Sequence, residues 1–210
     1  HRFVAGTRDW HKLIQASIVR VAKSTGAHLI DFYNPLLPYP QMRPDGLHPN
    51  KAGAGVLARV VYQALTGNYG GLKMPMVFSD NMVVRRERNF EVYGTANAGQ
   101  VVTGSFGNDK TSTVTKNDGT WRLLFAAPRM GKTYTLTVTS EKRTLKFKNI
   151  VAGEVWLCSG QSNMAFPLAS DEQGKEALAI ADDPNLRVLN MVPRWDTDNT
   201  EWSQQALDST

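Results

Sequence analysis

Six short segments between residues 83 and 149 constrain this chain more than anything else in it. They read "VVRRERNFEVYG", "QVVTGSF", "DKTSTVT", "TWRLLF", "TYTLTVTS" and "RTLKFKN", and several alternate apolar with polar residues. Alternation with a period of two puts one set of side chains on one face of a strand, so these segments predict half-buried β-strands. Turn-forming residues separate them: Asn97-Ala98-Gly99, Gly107-Asn108-Asp109, Asn117-Asp118-Gly119 and Gly131. Short strands at such spacing predict a small antiparallel β-sandwich over 73–150. Trp121, just after Gly119, reads either as a core tryptophan or as a sugar platform, and the core reading is the simpler one.

The flanks follow another rule. Apolar residues at 10, 13, 14, 18, 21 and 22 have helical spacing, with Thr7 or Asp9 able to cap the start and Gly26 the end. "HLIDFY" (28–33) predicts a strand and "NPLLPYPQMRP" (34–44) a proline-broken loop. A second helix follows Asn50, with apolar positions 52, 56, 57, 60, 61 and 64, and "TGNYGGL" (66–72) closes it. Beyond the sandwich, "IVAGEVWLCSG" (150–160) predicts a buried strand running into a turn at Ser162. An acidic, helix-compatible stretch (171–183) and a strand-like "LRVLNMV" (186–192) follow. One strand makes no sheet, so 1–72 reads as the closing section of an α/β domain and 151–210 as the opening of another. The fold class is therefore α/β plus all-β, with partial α/β segments flanking the sandwich.

Charge separates the same regions. Residues 1–73 hold nine Lys/Arg against three Asp/Glu, 74–150 twelve against six, and 151–210 three against ten, within a total of +5. The basic residues are scattered apart from Arg85-Arg86-Glu87-Arg88 and Lys142-Arg143, a solvated surface rather than a nucleic-acid groove. No run approaches the roughly 20 apolar residues of a membrane span. The single Cys158 excludes an internal disulfide framework and a multi-cysteine zinc site, and no other cluster suggests a metal. No signal peptide is visible, but the sequence starts at His1 rather than Met, so export stays open.

The chemistry gathers at two places. "DGLHPN" puts Asp45 and His48 three residues apart on a loop before a helix, where a carboxylate can orient an imidazole and fix its tautomer. A turn aspartate followed by a surface histidine is the plainer reading of the bare pair, and the Pro49-Asn50 that follows favours a rigid, functional loop. "GQSNM" puts Ser162 where an apolar run gives way to a turn, a setting for a nucleophile with main-chain N–H groups nearby for an oxyanion. It departs from the G-x-S-x-G elbow, because Met164 stands at the last position. A helix-capping serine is the alternative, and Gln161 and Asn163 are candidates to hold the turn or bind substrate. Cys158 lies in the apolar run and reads as a small hydrophobe. His1, His11 and His28 lack a carboxylate pattern, and Asp31 is a weaker partner for a histidine.

"GEVWLCSGQSNM", with "MPMVFSDNMVVRRERNFEVYGTANAGQVVTGSF" and "DGTWRLLFAAP" before it, resembles the sialate O-acetylesterase family of the SGNH (GDSL-like) hydrolase superfamily. The resemblance implies that Ser162 is the nucleophile, its own N–H part of the oxyanion hole, and the substrate an O-acetylated carbohydrate cleaved without metal or cofactor. It also implies a secreted or periplasmic setting. "DGLHPNKAGAGVLARVVYQALTG" is similar to the closing block of GDSL-like acylhydrolases, in which Asp45 and His48 would complete a Ser-His-Asp triad. In those folds the serine comes first, whereas here the pair precedes Ser162 by 114 residues. No segment matches the family's middle blocks, which supply a glycine and an asparagine to the oxyanion hole. A chain holding the tail of one hydrolase module (1–72), a sandwich (73–150) and the head of a second (151–210) accounts for the order, with the missing parts of both modules in a longer parent. A rearranged single domain, in which His48 serves Ser162, is the alternative. A carbohydrate-binding or spacer protein with non-catalytic ends is the reading from another class.

Overall fold

The computed structural model describes residues 7–160, 162–164 and 166–189. Helix α1 (Thr7–Thr25) is followed by two single 3-10 turns, Asn34–Leu36 and Pro40–Met42, and by helix α2 (Lys51–Thr66). Seven strands come next: β1 (Val83–Arg85), β2 (Phe90–Thr95), β3 (Val101–Phe106), β4 (Asp109–Val114), β5 (Thr120–Phe125), β6 (Thr133–Ser140) and β7 (Arg143–Gly153). A 3-10 turn, Leu168–Ser170, and the short helix α3 (Gly174–Ala179) complete the described elements.

The strands form a five-stranded sheet in the order β1-β7-β6-β3-β4 and a two-stranded sheet of β2 and β5. Alternation decides what they bury. On β5, Trp121, Leu123 and Phe125 point inward while Thr120, Arg122 and Leu124 face solvent. Val102 and Phe106 on β3, Leu136 and Val138 on β6 and Ile150 on β7 complete a core in which these five are at most 3% exposed. Gly104 shows how closely the sheets meet: a Cβ there would stand 2.5 Å from Leu123 Cδ1 and 2.9 Å from Phe125 Cζ. Trp121, 1% exposed, is a core residue and not a sugar platform.

Several sequence expectations need correction. The β-domain is not wholly antiparallel, because the edge strand β1 runs parallel to β7. Its "VVRRERNFEVYG" segment also divides between the two sheets, β1 joining one and β2 the other. Residues 28–33 form no strand, and neither do 154–160, since β7 stops at Gly153. Cys158 is accordingly exposed rather than packed in a strand. Of 186–192, residues 186–189 have no regular structure and the rest lie outside the described residues. The unformed strands share one physical reason: among the described residues these apolar segments meet no neighbouring strand to satisfy their backbone groups, and an isolated strand is not stable.

Both flanks are tied to the β-domain. Leu72 is 1% exposed and belongs to its core, and Lys73 bridges Thr95. Asn97 Oδ1 accepts from the main-chain N–H of Tyr69 (2.9 Å) and of Gly71 (3.0 Å), and the Tyr69 hydroxyl donates to Asn117 O at 2.9 Å. On the other side, Arg187 Nη1 donates to the carbonyls of Asn81 (3.0 Å) and Asn149 (2.5 Å), which fixes 187 against the turn before β1 and against β7.

Candidate active site

The loop between the second 3-10 turn and α2 is built around one carboxylate. Asp45 Oδ1 accepts from the main-chain N–H of Leu47 (2.9 Å) and of His48 (2.7 Å), an Asx-type turn. Gly46 lies at φ 81°, a conformation that glycine adopts without penalty. The following Asn50 caps α2, its side chain accepting from Gly53 N at 3.0 Å and donating to Gln41 O at 3.1 Å. Its own N–H donates to Met42 O at 2.8 Å, so the loop is fastened at both ends. Packing is tight where the helix meets the loop, since a Cβ on Gly53 would stand 2.9 Å from Met42 O.

In this frame His48 Nδ1 lies 2.6 Å from Asp45 Oδ2. An ionised carboxylate only accepts, so Nδ1 carries the proton and Nε2 of the neutral ring keeps its lone pair. The His48 side-chain hydrogen bond is the chief influence holding the Asp45 carboxyl well below its usual range, with the N–H groups of His48 and Leu47 adding to it. The imidazole is open to solvent, its side chain 82% exposed.

Ser162 stands in an exposed turn spanning 162–164, beyond seven residues without regular structure. Gly160 packs close to Met164, where a Cβ would lie 3.3 Å from Met164 Cβ. Asn163 is exposed beside the serine, and Gln161 lies outside the described residues. Among the described residues, no hydrogen bond joins Ser162 to His48; the imidazole bonds to Asp45. The structure thus brings Asp45 and His48 into hydrogen-bond contact and, among the described residues, joins Ser162 to neither by a hydrogen bond.

The weaker candidates resolve simply. Asp31 is a turn carboxylate, accepting from Tyr33 N, Asn34 N and Asn34 Nδ2 at 2.6–3.1 Å. His28 is exposed, the His11 side chain and His1 lie outside the described residues. Among the described residues no group of three or more His, Cys, Asp or Glu could hold a metal, and no helix is long and apolar enough to cross a membrane. Sequence reasoning missed the contacts that hold the start of the serine segment. Arg86 N–H donates to Gly153 O at 3.0 Å, and the Arg86 guanidinium pairs with Glu154. Their separation of 68 residues leaves no local signal to find.

No family model matches the chain. It is similar to the sialate O-acetylesterase of Rattus norvegicus, with 28% identity over 120 residues, covering 52% of this chain and 22% of that protein. Among solved structures it is similar to a carbohydrate acetylesterase from Xanthomonas citri, with 29% identity and a TM-score of 0.50, covering 53% of this chain and 26% of that one. The chain thus spans about a quarter of the length of the relatives it matches.

Proposed function

We propose that this chain is part of a serine esterase that removes O-acetyl groups from carbohydrates. It holds the Asp-His end of one SGNH-type hydrolase module and the serine end of a second, with the β-domain between them. The observation that carries the reading is the Asp45–His48 pair, held at 2.6 Å by a fastened loop, with no hydrogen bond on Nε2 among the described residues. Similarity to two acetylesterases supports the choice of ester.

In each module the histidine Nε2 takes the proton of the serine hydroxyl as the oxygen attacks the acetyl carbonyl. The tetrahedral oxyanion is met by main-chain N–H groups, that of Ser162 in the second module. The imidazolium then returns the proton to the departing sugar oxygen. Water, activated by the same nitrogen, cleaves the acetyl-serine and releases acetate. Asp45 keeps the ring in the useful tautomer and stabilises its charged form. The exposure of Trp156 (84%), Leu157 (90%) and Ile180 (85%) supports the two-module arrangement, because apolar side chains of an α/β layer are buried once their sheet is complete.

Turnover of a chromogenic acetate ester and of an O-acetylated sugar by the parent protein tests this. Ser162→Ala should abolish one portion of the activity and His48→Ala the other, each by at least about 10³-fold in its own module. The double variant should be inactive. If each single variant is as inactive as the double, the two residues share one triad and the two-module arrangement fails. A parent protein that releases no acetate from either substrate overturns the esterase itself.

A further inference from the structure

Residues 66–72, "TGNYGGL", have the composition of a flexible linker between α2 and the β-domain, three of the seven being glycine. Their structure is of another kind. Gly67, Gly70 and Gly71 stand at φ 65°, 82° and 76°, a left-handed path that other residues would hold only under strain. Every main-chain N–H from Gly67 to Gly71 has an acceptor. Gly67 donates to Gln63 O (2.8 Å), Asn68 to Thr66 Oγ1 (3.2 Å) and Gly70 to Asn68 Oδ1 (3.0 Å). Tyr69 (2.9 Å) and Gly71 (3.0 Å) share Asn97 Oδ1 of the β-domain. Further bonds cross from the β-domain along the whole segment. Ala98 N–H donates to Gly67 O at 2.8 Å, Lys73 and Thr95 exchange bonds of 2.7 and 3.0 Å, and the Tyr69 hydroxyl donates to Asn117 O at 2.9 Å. A Cβ on Gly119 would run into the Tyr69 ring, and Leu72 is buried in the β-domain core.

We infer that these residues are a clasp rather than a linker, closed by Asn97, and that α2 and the β-domain move as one rigid body. An amide oxygen has two lone pairs, and here it meets two N–H groups two residues apart. One side chain therefore fixes the peptide path on both sides of Gly70. Units joined by a short segment ordinarily turn relative to one another. In this segment no unbonded peptide N–H between 67 and 71 is left to act as a pivot. The consequence reaches the Asp45–His48 loop, which precedes the other end of α2. A helix of 16 residues is about 24 Å of stiff rod, so the β-domain is carried at a set distance and angle from the imidazole. It is a fixed arm of the segment that bears His48, not a module on a tether. The clasp holds whether or not the chain cleaves an ester, and its test reads geometry rather than acetate release, so either can fail alone.

The test measures a distance across the clasp in the 210-residue chain. Cys158→Ser removes its single cysteine, and Arg59→Cys on α2 with Lys142→Cys in the turn between β6 and β7 supply two spin-label sites. Pulsed electron resonance should give one narrow distance distribution. Adding Asn97→Ala should broaden it, and Asn97→Asp, which keeps an acceptor oxygen, should restore it. Amide hydrogen exchange supplies the second reading. In Asn97→Ala the Tyr69 and Gly71 amides should exchange about tenfold faster, the loss of one hydrogen bond, while those of Leu136 and Val138 keep their wild-type protection. A broad or multiple distribution without the Asn97 change overturns the rigid body. A distribution in Asn97→Ala as narrow as in the parent pair, or equal broadening in Asn97→Asp, overturns the role of Asn97. Lost protection at Leu136 and Val138 also overturns it, because the residue would then support the β-domain as a whole and not the clasp.

Discussion

The β-domain and the two flanks are built from similarly apolar sequence, yet only the first closes a core. Val92, Val102, Leu136, Val138 and Ile150 are all 0% exposed, while Leu13, Trp156, Leu157, Ile180 and Val188 are 69–90% exposed. The difference lies in partners rather than in hydrophobicity. Each β-domain strand finds its neighbours within about 70 residues of chain, whereas 28–33 and 154–160 meet none among the described residues. Apolar surface stabilises a fold only when something covers it.

The largest expected effect follows directly. Phe125→Ala removes a core ring packed against Phe90 and Phe106, and should lower unfolding free energy by about 3–5 kcal/mol. Leu157→Ala, at 90% exposure, should stay within about 0.5 kcal/mol. Urea unfolding of both variants makes the comparison. A Leu157→Ala loss as large as that of Phe125→Ala would mean that the flank is packed after all.

Legibility followed the same division. Strands β3 to β6 and the turns at 97–99, 107–109, 117–119 and 131 were readable because alternation is a local property, and the Trp121, Leu123, Phe125 face came out as its pattern required. Helix α2 was readable from its spacing and from Asn50, whose side chain does cap Gly53 N. The parallel pairing of β1 with β7 was not readable, since it joins Val83 to Val151 across most of the domain. Residues 155–158 misled because an apolar run states what a segment would bury, not whether its sheet is there. At the candidate site, Asp45 and His48 were legible because three residues on one loop fix their meeting. Nothing local to "GQSNM" states which histidine Ser162 meets.

A middle-sized effect probes how tightly the two sheets of the β-domain meet. Gly104→Val places a branched side chain where even a Cβ would be 2.5 Å from Leu123 Cδ1. Overpacking of this kind costs about 1–3 kcal/mol. Thermal unfolding should show a lowered midpoint with a retained β-type spectrum. An unchanged midpoint would mean that the sheets can separate there freely, and that the close approach does not define the core.

The smallest effect in stability concerns a tightly arranged feature of the flanks, the Asp45–His48 pair. The Asp45 carboxyl is held well below its usual range, first by the His48 side-chain hydrogen bond and then by the two main-chain N–H groups. A depressed folded-state pKa means that the unfolded chain takes up the proton first. Stability from this group is therefore present above the ordinary aspartate range near 3.9 and fades as pH falls through the folded value. The pair is open to solvent, so its signature is a titration rather than a large change in melting. Carboxyl-carbon NMR should show Asp45 ionised at a pH where exposed aspartates are already half protonated. His48→Ala should move that midpoint up toward the others, but not fully, because the Leu47 and His48 main-chain N–H groups remain. A midpoint in His48→Ala equal to that of the wild type would show that the imidazole does not hold the carboxylate. The Asp45–His48 pair would then be no preorganised element of the flank, and the contrast with the β-domain would sharpen.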